Sequence, residues 1–145
     1  MSVWAAVMLI AGGLFAGGAA TFAWSRVPVW RTMPPAAFVD DFSQTISRTD
    51  KVQPALLVAA IAASLGFAVA ADGPQRLLAI VGTGGFVAVL IGSLAVLVPL
   101  QRRIIECPDP EAVGEMRQRW FSGHLGRSSL SVLAFVATAL AASSG

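Results

Sequence analysis

The stretch 77–100, LLAIVGTGGFVAVLIGSLAVLVPL, contains no charged residue, and its polar side chains are one threonine and one serine. A helix needs about 20 residues to cross the hydrocarbon of a bilayer, where every backbone N–H and C=O must find its partner inside the chain. A run this long and this apolar reads as a transmembrane helix. Three more runs flank it, at 3–24, 54–71 and 121–142. The fold class is therefore all-α: a single four-helix integral membrane bundle spanning residues 1–145. Composition agrees, with 56% hydrophobic residues, 12% charged residues and a mean hydropathy of +0.73. Soluble domains carry roughly 25% charged residues.

Charge sets the orientation. Arg26, Arg31, Arg48 and Lys51 lie between the first two spans, and Arg102, Arg103, Arg117 and Arg119 between the last two. The short second connection holds only Arg76, and neither terminus carries a basic side chain. The positive-inside rule puts the two long loops in the cytoplasm and both termini outside, in a plasma (inner) membrane. Trp4 then falls at the outer interface, and Trp24, Trp30 and Trp120 at the inner one. Nothing basic precedes Arg26, so the first apolar segment reads as a retained span and not as a cleaved signal.

The first loop has structure of its own. In PPAAFVDDFSQTISRTD, 34–50, prolines suit a helix start and Phe38, Phe42 and Ile46 recur at helical spacing. This predicts a short amphipathic helix lying on the inner membrane surface. Asp72-Gly73-Pro74 predicts a tight outer turn, so the second and third spans form an antiparallel hairpin.

Several function classes are excluded. The net charge is only +2 and no basic patch is interleaved with aromatics, so nucleic acid is not a partner. One cysteine, Cys107, and one histidine, His124, cannot supply a zinc or iron–sulfur site, and no metal or cofactor is expected. The lipid bilayer is the obligatory partner. Gly13, Gly17 and Ala20, with Gly84, Ala88 and Gly92, form small-residue stripes that let helices approach closely, within one chain or between copies in a homo-oligomer.

Chemistry concentrates in RWFSGHLGRSSL, 119–130. On a helix Trp120, His124, Arg127 and Ser131 share one stripe. With Trp120 at the interface, a rise of about 1.5 Å per residue sets His124 roughly 6 Å and Arg127 roughly 10 Å deeper. Arginine at that depth can snorkel to water, which would make it an anchor; an ionisable pair on an inward stripe instead marks a functional site. Neutral imidazole takes a proton, guanidinium stabilises developing negative charge, and an indole offers a flat apolar wall. Pro99 either ends the third span or distorts it so that Gln101 faces inward. Arg26 is an inner anchor that lies close enough to reach the same region. Asp40, Asp41, Asp50, Glu106, Glu111 and Glu115 are loop residues, suited to solvated faces or anchor pairs.

Four stretches together resemble the anthrone oxygenase-like family of small four-span membrane proteins: GLFAGGAATFAWS, RTMPPAAFVDDFSQTI, VPLQRRI and RQRWFSGHLGRSSLSVLAF. The resemblance runs through nearly the whole chain. It implies a cofactor-independent oxygenase acting on a planar anthrone-like or other phenolic molecule with molecular oxygen. Carried onto this sequence, it implies His124 as base, Arg127 and Gln101 holding the anion, and Trp24 and Trp120 flanking the ring, with Arg26 nearby. That family commonly has asparagines flanking the Val-Pro-Leu, where this chain has Leu97 and Gln101. Two other classes fit the composition: a non-catalytic membrane subunit held by its glycine faces, and a haem- or quinone-binding protein using His124.

Overall fold

A computed structural model describes residues 1–144. It is built of α1 (Val3–Thr32), α2 (Pro35–Thr49), α3 (Gln53–Ala70), α4 (Gly73–Gly92), α5 (Val98–Ile105) and α6 (Gly114–Ser143), with a π turn at Ser93–Leu97 and a 3₁₀ turn at Pro110–Val113. Four helical columns, α1, α3, α4 with α5, and α6, are long and apolar enough to cross a membrane. They run antiparallel, so both termini lie at one end, where Trp4 packs on Gly66 and Ala68, Ala79 and Ala141 cluster. The long loops share the other end.

Local chemistry explains the breaks. The Ser2 hydroxyl accepts the Ala5 N–H at 3.2 Å and caps α1. Gly73 turns the α3–α4 corner at φ +52, a left-handed conformation that favours glycine, as the Asp-Gly-Pro signature predicts. The Arg76 guanidinium donates to the carbonyls of Ala68 and Val69 at 3.0 and 3.3 Å, closing the free end of α3. Pro99 does not end its helix. The π turn just before it, with Val98 N–H bonded to the Ser93 carbonyl, accommodates the ring, and the helix continues to Ile105.

Three helical columns outrun their predicted spans: the third runs Gly73–Ile105 and not 77–100, and two others are longer at the loop end. α1 continues eight residues past Trp24, through Pro28, and α6 begins at Gly114 instead of Phe121. Both extensions serve α2. Phe38, Phe42 and Ile46 share one helical face as predicted, but protein covers that face: they pack against Trp30, Trp120, Phe121, Ile104 and Val113. The amphipathic helix therefore docks its apolar face under the bundle, and that face does not lie on lipid. Polar contacts fasten it. Arg26 grips Asp41 at 2.5 and 2.6 Å, and the Trp30 indole N–H donates to the same carboxylate at 2.6 Å. Arg117 donates to the carbonyls of Trp30 and Met33, at 3.5 and 3.0 Å, and lies 5.2 Å from the Phe38 ring centre.

The glycine stripes need a correction. Gly17, Gly84 and Gly92 meet nothing and face outward. The glycines at helix contacts are mostly their neighbours. A Cβ on Gly82 would stand 2.4 Å from Thr138 Cγ2 and 2.9 Å from the Ala134 carbonyl oxygen, and one on Gly85 would stand 2.8 Å from Ala134 Cβ. Gly12 meets Phe86 and Phe135, and of the glycines in the predicted stripes Gly13 alone meets a neighbour, Phe135. Glycine is needed where α4 and α6 touch, because backbone cannot yield as a flexible side chain can. The outward face carries large apolar side chains such as Ile91 and Leu133, which suits lipid contact.

Two outcomes follow for stability in detergent, read as thermal midpoints. Gly82→Ala lowers stability by about 1–3 kcal/mol through overpacking, whereas Gly84→Ala changes it by less than about 0.5 kcal/mol. Asp41→Ala strands the buried Trp30 N–H and costs about 1–3 kcal/mol, with Asp41→Asn, which keeps an acceptor, costing less.

Candidate functional site

His124 is buried at 2% exposure, and the α6 stripe turns inward, not toward lipid. Its ring lies parallel to the Trp120 indole, with centroids 4.8 Å apart and an interplanar angle of 6°. The Phe22 ring meets it edge-on at 5.2 Å. Nε2 is 3.4 Å from the Ser128 hydroxyl, one helical turn along α6, which also lies within donating distance of the carbonyls of Ala19 and His124. A hydroxyl has one proton. When Ser128 gives it to a carbonyl, its oxygen accepts from Nε2–H and the basic lone pair sits on Nδ1. Nδ1 is buried and meets no partner within the protein.

His124 and Trp120 line a cavity of about 120 Å³ together with Arg127 and Gln101. Four of the six site residues predicted from sequence thus meet in one place. Its apolar walls include Phe15, Phe22, Ile46 and Leu57. Arg127 lies 5.9 Å from the Phe15 ring centre, and its Nε is buried without a partner. Guanidinium has five N–H donors, so this side chain keeps hydrogen-bonding capacity for an oxygen anion. Gln101 is 5% exposed; its Oε1 accepts the Trp120 indole N–H at 3.3 Å and its Nε2 donates to Asp50 at 3.4 Å.

The other two predicted residues lie elsewhere. Trp24 is 86% exposed and does not line the cavity. The inward face of α1 carries Phe15, Ala19 and Phe22, and a residue two positions past Phe22 points the opposite way round the helix. Trp24 instead faces outward, as expected of an interfacial anchor, and Phe22 takes the place assigned to it. Arg26 is committed to Asp41 and fastens α2. Both belong outside the site.

Sequence reading also missed members. Asp50, Thr49 and Ile46, at the end of α2, and Gln53, at the start of α3, line the cavity. The Gln53 amide rests on Gly18, where a Cβ would come within 2.4 Å of Nε2, and its Oε1 has no partner. Ile46 is legible from its helical spacing with Phe38 and Phe42, and Ser128, the partner of His124, from its place four residues further along the same stripe. Asp50 lies in the short link between α2 and α3, outside the membrane-crossing helices. Partial burial raises its carboxyl above the usual carboxylate range, while the positive charge of Arg127 and the Gln101 amide oppose the rise. Among the lining residues Asp50, Pro54 and Leu94 are exposed, which puts the mouth where the α2–α3 link and the start of α3 meet the π turn. At the third-span position where the related pattern has asparagine, Leu97 is buried and its Cδ2 would meet a Cβ on Gly123 at 2.8 Å. That position serves packing between α6 and the π turn.

These features define a four-span membrane protein with an aromatic-walled pocket at its loop end, furnished with one imidazole, one guanidinium and two amides. The chain belongs to the anthrone oxygenase family, whose model matches residues 42–137. No curated protein and no solved structure matches it. The matched stretch contains every polar side chain that lines the cavity, and α1 adds only Phe15, Gly18, Ala19 and Phe22 to the wall.

Trp120 lines this cavity and Trp24 does not, so a planar aromatic that entered it would meet Trp120. An aromatic quencher titrated into detergent-solubilised protein quenches a Trp24→Phe variant as it does wild type, and a Trp120→Phe variant substantially less.

Proposed function

We propose that this protein is a membrane-embedded oxygenase that takes a planar, acidic aromatic of the anthrone type from the bilayer and oxidises its ring methylene to a carbonyl. Support comes from one observation above the rest: His124, Arg127 and Gln101 line a single apolar-walled cavity beside the Trp120 indole. Family membership supports the oxygenase class. The loops face the cytoplasm in this reading, with both termini outside, as the distribution of basic residues favours.

The chemistry asks little of the protein beyond a base, an anion-holding group and a dry pocket. His124 removes a proton from the ring methylene, and the electrons pass into the ring carbonyl as an enolate oxygen. Arg127 and the remaining amide N–H of Gln101 stabilise that oxygen, in surroundings where a charge interaction is stronger than in water. The anion transfers one electron to molecular oxygen, and the resulting radical pair combines at the ring carbon to form a peroxide. The proton on His124 returns to the terminal peroxide oxygen; the remaining ring C–H then breaks, its electron pair forming the new carbonyl as the O–O bond cleaves, and its proton joins the departing hydroxide as water. One oxygen atom ends in the product and the other in water, so the substrate supplies all the electrons.

The test is oxygen uptake by purified protein supplied with an anthrone. Loss of a positioned general base costs about 10²- to 10⁴-fold, so His124→Gln falls by that much. Arg127→Leu falls comparably, while Trp24→Phe keeps the wild-type rate. Equal rates for wild type and His124→Gln would overturn the assignment of His124.

A further inference from the structure

We propose that Asp50 is a positioning residue of this cavity: it fixes the Gln101 amide and, through it, the Trp120 indole against which the His124 ring lies. The contacts form a chain from the loop end into the bundle. Asp50 Oδ2 accepts from Gln101 Nε2 at 3.4 Å, Gln101 Oε1 accepts from Trp120 Nε1 at 3.3 Å, and the Trp120 ring stacks on His124 with centroids 4.8 Å apart.

Chemistry fixes the direction of the amide. An indole N–H only donates and an ionised carboxylate only accepts. Were the Gln101 amide reversed, its NH₂ would oppose the indole N–H and its oxygen would oppose the carboxylate, and both contacts would become repulsive. Asp50 and Trp120 therefore hold Gln101 between them in one orientation. That orientation leaves a single Gln101 N–H free to meet an anion. Asp50 also lines the cavity with Arg127 without forming an ion pair within 4.0 Å, so the guanidinium is balanced electrostatically yet keeps its donors.

Position in the fold strengthens the case. Asp50 caps the end of α2, and its backbone N–H bonds the carbonyls of Arg48 and Ile46. α2 is itself anchored by Arg26, Asp41 and Trp30, so the carboxylate hangs from a docked helix. The indole ring that Asp50 steadies is buried and meets Phe42 and Phe22 edge-on, at 5.0 and 6.3 Å. A small rotation of that indole would carry its stacking partner, the imidazole, out of line with a substrate.

The experiment compares Asp50→Ala with Asp50→Asn, which keeps an acceptor oxygen and loses the charge. Its first readout is the indole N–H resonance of Trp120 in the detergent-solubilised protein, with exposed Trp24 as the internal reference. Its second is kcat against KM for anthrone-dependent oxygen uptake, which rests on the oxygenase reading above. In Asp50→Ala the Trp120 resonance shifts, and kcat falls on the order of tenfold to a hundredfold, as misplacement of reacting groups costs, with KM within about twofold. Asp50→Asn stays close to wild type in both. An unmoved Trp120 resonance in Asp50→Ala would overturn the proposal, and so would equal losses in the two variants, which would make the carboxylate a counter-charge only. A wild-type protein that takes up no oxygen, with the Trp120 resonance still shifted by Asp50→Ala, would remove the oxygenase reading and leave the positioning role standing.

Discussion

The hydrogen bond from the Trp30 indole to Asp41, reinforced by Arg26 on the same carboxylate, holds the loop end of this protein together. Trp30 is fully buried and touches the rings of Phe22, Phe38, Phe42, Trp120 and Phe121, so one side chain joins α1, α2 and α6. A buried indole N–H without an acceptor is costly, and Asp41 on α2 supplies the acceptor. Once α2 is fastened there, its far end carries Ile46, Thr49 and Asp50 to the cavity. Docking of a helix that does not cross the membrane thereby completes a site whose other walls belong to the spans.

The cavity shows how a bilayer protein manages polar groups. Helices satisfy the backbone internally, so a buried side chain must find a partner from another helix or keep its capacity for a ligand. Trp120, Gln101, Asp50 and Ser128 are partnered. His124 Nδ1, Arg127 Nε and Gln53 Oε1 are not. With Ser93 Oγ, these unpartnered atoms belong to four side chains that line the same cavity, where a ligand with acidic and hydrogen-bonding edges would be received; Ser64 Oγ and Arg117 Nε, also unpartnered, lie outside it. Close approach of α4 and α6 at Gly82 and Gly85 keeps the termini end of the bundle tight, so the open space is confined to the loop end.

Much of this was legible in the residues. Apolar runs identified the four spans, Phe38, Phe42 and Ile46 marked a face of α2, and the spacing of Trp120, His124 and Arg127 put them on one stripe. The failures share a cause. Trp24 and the Gly17, Gly84 and Gly92 stripes do not have the inward faces that their pattern suggests, and Arg26, an anchor within reach of the site, is committed to Asp41. In water, apolar side chains mark the inward face of a helix; in lipid, tails are as apolar as leucine and the face toward lipid is as greasy as the one toward protein. Nothing in α1 alone distinguishes Phe22 from Trp24.

The sequence by itself determined the helices, their number and the stripe on α6, because these depend on hydropathy and on the 3.6-residue period within a single segment. Tertiary structure alone decided that Asp50 and Gln53 join that stripe, that protein and not lipid covers α2, and that Trp24 and Arg26 stand outside. Those outcomes depend on how helices rotate against one another and on contacts such as Asp50 to Gln101, 51 residues apart in the chain. No local periodicity encodes such a contact, since it exists only once several helices have packed.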